Sequence, residues 1–179
     1  MKTNVAFFYG CRSVEHEVSI ISAVQAMRAV DREKYDVTPV YVTKEGEMYT
    51  GNCLFEIEEY RNLSELLSKC QKVNFLRENG AVVMTEQTKK MFQKPKSVRI
   101  DVAFPVVHGT NCEDGTIQGF FEYLNLPYVG CDIISSAVGM DKAVFKDVLK
   151  NAGLPVLDCI CIRAKEYLTD KQKFQDEIE

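Results

Sequence analysis

Two short polar stretches gather the side chains that could do chemistry. The first is Gly10-Cys11-Arg12-Ser13-Val14-Glu15-His16-Glu17-Val18-Ser19, with two carboxylates, an imidazole and two hydroxyls around a helix start. The second is His108-Gly109-Thr110-Asn111-Cys112-Glu113-Asp114-Gly115, an imidazole followed by adjacent carboxylates. A carboxylate held in such a loop can pair with an ammonium, and an imidazole can donate to a carboxylate or carry a proton. Together these groups suit a zwitterion such as an amino acid.

The elements that must position them are legible in the apolar pattern. Val5-Ala6-Phe7-Phe8-Tyr9, ended by Gly10, reads as a strand covered on both faces. Ile20, Ala23, Val24 and Met27 recur as one helical face, and Val37–Val42 reads as the next strand, which makes a βαβ unit. The second loop follows a strand at Val102–Val107, with Pro105 limiting its ladder on one side, and precedes a helix with Ile117, Phe120, Phe121 and Leu124 inward. Both loops therefore leave strand carboxyl ends, where open α/β sheets bind ligands. In between, Lys44-Glu45-Gly46 reads as a turn and Met48-Tyr49 as a return strand. Residues 62–70 read as a short helix, 81–84 as a strand, and 87–97 as a polar, basic surface loop. Further on come a short strand at 127–130 and a helix with Phe145, Val148, Leu149 and Ala152 inward, stopped by Gly153 and Pro155. A strand over 154–163 and a helix over 170–179 complete the expected order, an α/β fold with a parallel sheet and flanking helices.

Composition narrows the function classes. The chain has 179 residues, 22 Lys+Arg against 26 Asp+Glu, a net charge of −4 and 46% hydrophobic residues. That is a soluble globular balance, and the acidic excess without a basic cluster argues against nucleic acid. The apolar run after Met1 is too short for a signal peptide or a membrane span. Seven cysteines at irregular spacing, with no C-x-x-C pair, argue against a disulfide framework or structural zinc and favour the reducing cytoplasm.

Each candidate also has a plainer reading. Ser13 could only cap a helix, with Glu15 and Glu17 favoured by the helix dipole. His16 reads by composition as a solvated surface residue, whereas His108, at a strand end before a glycine, is evenly balanced between scaffold and function. Cys112, four residues after His108, lacks an orienting third group for a thiol nucleophile. Cys159 and Cys161 would share one strand face as small core residues, and the apolar helix stripes read as core. The first loop does not match G-x-G-x-x-G, so a dinucleotide site is disfavoured.

The motifs nevertheless fit one family. Gly10-x-x-Ser13-x-Glu15-His16-Glu17-Val18-Ser19, then His108-Gly109 with Glu113-Asp114-Gly115-Thr116-Ile117-Gln118-Gly119, resembles the D-alanine–D-alanine ligases. Pro127-Tyr128-Val129-Gly130-Cys131 and Ser135-Ser136-Ala137 with Met140-Asp141-Lys142 extend the resemblance, four blocks in order over residues 5–155. The resemblance implies an ATP-dependent carboxylate–amine ligase of the ATP-grasp type, serving peptidoglycan synthesis in the cytoplasm. ATP would phosphorylate the carboxylate of one D-alanine, and the amine of a second would attack it. Glu15 would anchor the first ammonium, with Ser19 and Gly109 also at the substrate. His108 would sit near that substrate's carboxylate and the reacting centre, and Lys142 would touch ATP phosphate. A homodimer through the N-terminal domain is also implied.

The same resemblance divides the chain into residues 1–130, a Rossmann- or flavodoxin-like substrate domain, and 131–179, a linker helix with the opening of an ATP-grasp domain. The family's magnesium ligands fall outside these residues, so neither ATP nor Mg2+ is expected to bind tightly here, and the 179 residues alone are expected to be inactive. Two positions depart from the family pattern: the paired glycines are Gly10-Cys11, and the glycine before Glu-Asp-Gly is Cys112. A cysteine where glycine permits positive φ is expected to strain or narrow the loop. Other readings are a D-serine or D-lactate resistance-type ligase, a non-catalytic amino-acid-binding or dimerising module, and an unrelated flavodoxin-like domain. With this cysteine pattern, thiol titration of the denatured protein without reductant should count close to all seven cysteines.

Overall fold

The computed structural model describes residues 2–87 and 95–178. Seven strands form one sheet: β1 (Thr3–Gly10), β2 (Tyr35–Val42), β3 (Met48–Thr50), β4 (Gln71–Glu78), β5 (Ala81–Glu86), β6 (Ser97–Ile100) and β7 (Val102–Val106). Their order is β6-β5-β4-β3-β2-β1-β7. The helices are α1 (His16–Ala29), α2 (Leu63–Lys69), α3 (Thr116–Leu124), α4 (Ile133–Met140), α5 (Lys142–Asn151), α6 (Ala164–Thr169) and α7 (Lys171–Ile178), with 3-10 turns at Asn52–Phe55 and Ile57–Arg61. The chain divides into two compact units, Met1–Ala137 and Val138–Glu179. No described helix is long and apolar enough to cross a membrane.

The expectation of a parallel sheet holds for three strands only. β1 pairs parallel with β2 and with β7, as the βαβ reading requires. From β2 onward the sheet is an antiparallel meander, so the fold is mixed α/β. The signal for the meander lies in Asn79-Gly80, both at positive φ, which turn β4 directly into β5. Asn-Gly is the strongest short hairpin signal, and two positive φ values match the twist of the flanking strands. β4 itself is hidden because its Lys72, Asn74, Arg77 and Glu78 interrupt the apolar pattern.

β1 divides the core. Ala6 and Phe8 face one side, with Val40, Val73, Met84 and the Ile117, Phe121 and Leu124 stripe of α3. Val5, Phe7 and Tyr9 face the other, with the Ile20, Ala23, Val24 and Met27 stripe of α1 and with Leu54 and Leu66. A strand covered on both faces reads as a continuous apolar run, which is why β1 is legible in sequence. β7 is an outer strand, bridged on its free side only between Ala103 and Tyr128, so Pro105 leaves no inner ladder incomplete. That bridge is all that forms of the strand expected at 127–130.

Other expectations fail in the second unit. Residues 154–163 form no strand, and Leu154, Leu157, Ile160, Cys159 and Cys161 are exposed. An apolar run becomes a strand only where neighbouring strands accept its backbone bonds, and this unit supplies none among its described residues. The α5 stripe is not core either, since Phe145 and Val148 are exposed. A unit of about 40 residues has little volume in which to bury them. Of the surface loop expected over 87–97, residues 88–94 lie outside the described residues, and Ser97 opens β6.

All seven cysteines are free thiols. Phe121 is fully buried, 4.9 Å from the ring of Phe8 and 5.5 Å from that of Tyr128, whereas Tyr123 on the same helix is 88% exposed. Phe121→Ala should therefore cost about 3–5 kcal/mol in urea denaturation followed by circular dichroism. Tyr123→Ala should stay within about 0.5 kcal/mol of the parent protein.

Candidate functional site

The carboxyl ends of β1 and β7 lie side by side, and their following helices go to opposite faces of the sheet, α1 with one core and α3 with the other. This is the crevice in which open α/β folds hold ligands. Ser19 closes its floor. Its hydroxyl, fully buried, accepts from the Gly10 N–H at 2.7 Å and donates to the Val106 carbonyl, joining the two strand ends. Ser19 thus lies beneath the crevice, with its oxygen engaged in both directions.

The chain leaves β1 through a tight turn. Gly10 has φ +88°, and a Cβ there would come within 2.5 Å of the Val42 carbonyl, so only glycine fits. Cys11 follows at φ +66°, a left-handed conformation that is easy for glycine and uncommon for a residue with a side chain. The strain expected there is present. It is absorbed by four contacts: the Cys11 N–H donates to Val42 O at 2.8 Å, its carbonyl accepts from Ser13 N–H at 3.0 Å and from His16 Nδ1 at 2.6 Å, and its side chain is buried in the core. Contact with the Cys112 thiol and burial push the Cys11 thiol up, keeping its proton in place. Cys112 has no positive φ; that conformation falls on its neighbour Asn111, at φ +61°. Cys112 is fully buried in the α3-side core, which removes it as a nucleophile open to substrate.

His16 corrects the composition-based reading. It is 3% exposed, and its second nitrogen, Nε2, meets the Tyr41 hydroxyl at 2.8 Å. A carbonyl can only accept, so Nδ1 carries the proton towards Cys11 and Nε2 is left to accept from Tyr41. Burial, with the Glu45 and Glu17 carboxylates nearby, pushes the Tyr41 hydroxyl up to about 12 and so keeps that donor protonated.

Ser13 joins the two loops. Its hydroxyl donates to the His108 carbonyl at 2.6 Å and accepts from the Glu15 N–H at 3.1 Å, so it is more than a helix cap. Arg12 and Asn111 add a second tie, with Asn111 Nδ2 donating to the Arg12 carbonyl at 2.9 Å. Gly109 is buried at φ +77°, and a Cβ there would lie 2.7 Å from Ser13 Oγ and 3.0 Å from Glu15 Oε2. The Glu15 carboxylate therefore rests against the bare backbone of Gly109. His108 is half-buried, with Nε2 3.2 Å from Ser22 Oγ on α1. Glu15, His108 and Gly109 are thus brought together, whereas Lys142 belongs to the second unit, exposed at the first turn of α5.

The carboxylates of the two loops differ in their partners. Glu17 pairs with Lys44 at 2.7 Å on the surface, and that hydrogen bond lowers its pKa. Glu113 accepts from Gly109 N–H at 2.7 Å. Asp114 is partly buried, which works upward, but bonds from Thr116 and the Asn111 N–H outweigh this and hold it below the usual carboxylate range. Among the described residues, the Glu15 carboxylate has no hydrogen-bond or ion-pair partner. An uncommitted carboxylate at a strand-end crevice, with the Ser13 hydroxyl also beside Gly109, is suited to an ammonium group. Sequence reasoning missed Tyr41 and Ser22, whose contact with the loop histidines depends on tertiary packing.

Comparison with known proteins bears on the family and the fold. The family model described as D-ala D-ala ligase N-terminus matches residues 4–131. The D-alanine–D-alanine ligase of Thermosipho melanesiensis is 42% identical over 156 residues, 87% of this chain and 41% of that protein. The ligase of Bacillus pumilus is 38% identical over 93% of this chain and 44% of its own length. This chain therefore spans less than half the length of these relatives. Among solved structures, the D-alanine–D-alanine ligase of Coxiella burnetii matches with a TM-score of 0.75 at 30% identity, over 98% of this chain and 49% of that one. The VanG D-Ala:D-Ser ligase of Enterococcus faecalis matches with a TM-score of 0.76 at 28% identity, over 99% and 50%. On the match over residues 4–131, the chain belongs to the D-alanine–D-alanine ligase family and carries its N-terminal region.

Proposed function

We propose that this chain is the part of an ATP-dependent D-alanine–D-alanine ligase that receives the first D-alanine. The observation that carries the reading is the unpartnered Glu15 carboxylate, held against Gly109 in the crevice between β1 and β7. There it takes the D-alanine ammonium. His108, on the same rim, faces the substrate's carboxylate, and its contact with Ser22 orients the ring. Ser13 fixes the spacing of the two, since one hydroxyl serves the backbone of both loops. Ser19 supports them from below.

ATP would supply the phosphoryl group that activates the D-alanine carboxylate. Lys142 fits a phosphate by charge, being an exposed ammonium at a helix start, 2.6 Å from the Gly139 carbonyl. The first free N–H groups of α5 are less suited, because Asp141 already accepts from Ala143 and Val144. For magnesium, no group of three His, Cys, Asp or Glu side chains among the described residues could hold the ion, and no step is assigned to it. The reading extends, on the family resemblance, to residues 131–179 as the start of an ATP-grasp domain, to a homodimer through residues 1–130, and to the cytoplasm.

The test is binding. D-Alanine should bind this chain no tighter than millimolar, about −4 kcal/mol. Glu15→Gln keeps shape and removes charge, and should weaken binding by about 1.5–3 kcal/mol, the worth of a charge-assisted bond. Glu17→Gln should change it far less, because Glu17 is committed to Lys44. NMR titration of the three proteins with D-alanine reads this directly, and equal shifts in Glu15→Gln and the parent would refute the anchor role.

A further inference from the structure

We propose that His16 is a positioning residue for the D-alanine site, and that it acts through the Cys11 carbonyl. The inference rests on the reading of Glu15 as the ammonium anchor and names what holds Glu15 in place. Cys11 is a non-glycine residue in the left-handed conformation, at a turn fed by Gly10 and leading within four residues to Glu15. A side chain at positive φ persists only where its surroundings over-determine it. His16 supplies the shortest of the polar contacts that do so, 2.6 Å from Nδ1 to the Cys11 carbonyl. The same carbonyl accepts from Ser13 N–H, and Ser13 Oγ in turn accepts from the Glu15 N–H. The path from imidazole to anchor is therefore continuous in hydrogen bonds. Tyr41, inside β2, meets the ring's other nitrogen at 2.8 Å, while the Cys11 N–H bond to the Val42 carbonyl ties the turn to the sheet without it.

The two nitrogens can be separated by substitution, because an asparagine amide falls where Nδ1 lies and a glutamine amide where Nε2 lies. His16→Asn keeps the bond to Cys11 and drops Tyr41, while His16→Gln does the reverse. D-Alanine affinity by NMR titration of the full chain should stay within about threefold in His16→Asn and Tyr41→Phe, and fall about tenfold in His16→Gln and His16→Leu. A purely space-filling role predicts Gln, the larger residue, to be tolerated at least as well as Asn, and that result would overturn the proposal. A second readout needs no ligand: hydrogen exchange at the Ser13 amide should quicken in His16→Gln and His16→Leu but not in His16→Asn. Equal protection in all three overturns the His16 inference alone, whereas loss of D-alanine binding in the parent protein with the exchange pattern intact overturns only the reading of the site. Should the variants not fold, long-range 1H–15N spectra of the parent protein decide the point. They should show the His16 proton on Nδ1, and a proton on Nε2 alone would refute the clamp.

Discussion

At the seam between β1 and β7, the buried Ser19 hydroxyl accepts from one strand end and donates to the other. Everything at the crevice depends on that seam. If the oxygen were removed, the buried Gly10 N–H would lose its partner, at about 1–3 kcal/mol, and the partly buried Val106 carbonyl would lose its donor. The loops that leave these strands would then start from uncertain positions. Ser19 reaches the seam because it lies on the first turn of α1, whose Ile20, Ala23, Val24 and Met27 face is clamped to the sheet by apolar burial. A hydrophobic stripe thus sets the position of a polar clip, and the clip sets the position of the loops.

Above the clip, the two loops resolve their charges differently. Glu17, Glu113 and Asp114 each meet a donor from the protein itself, and the donors are the groups that shape the loops: Lys44, the Gly109 N–H and the Asn111 N–H. These carboxylates build the rim. Glu15 stands apart because the Gly109 backbone beneath it offers contact without a bond. The division of four carboxylates into three scaffolding groups and one free group is a property of hydrogen-bond geometry, and composition alone does not contain it.

That distinction also marks how far the sequence is readable. β1, α1, β7 and α3 are legible because strands buried on both faces and helices buried on one leave strong apolar patterns, and the loops between them are legible as polar clusters at strand ends. β4 is not, because a strand in the antiparallel meander exposes Gln71, Asn74 and Arg77 and so breaks the run. The reverse error occurs at 154–163, where an apolar run finds no partner strand. At the site, Glu15 and His108 could be singled out by type and position. His16 could not be placed, since an imidazole suits water or a buried bond equally well, and only the arrival of Tyr41 and the Cys11 carbonyl decides between them.

The mixed sheet has a consequence for the order in which the molecule can assemble. The meander from β3 to β6 joins near neighbours, including a two-residue hairpin, and such contacts close with little loss of chain entropy. β1 and β7 pair across a sequence separation of about 97 residues, Val5 lying opposite Val102. Entropy makes that closure among the most demanding in the fold. The crevice therefore comes into being only when the most distant strands meet, and a chain emerging from the ribosome has both loops in hand but no site until β7 has docked.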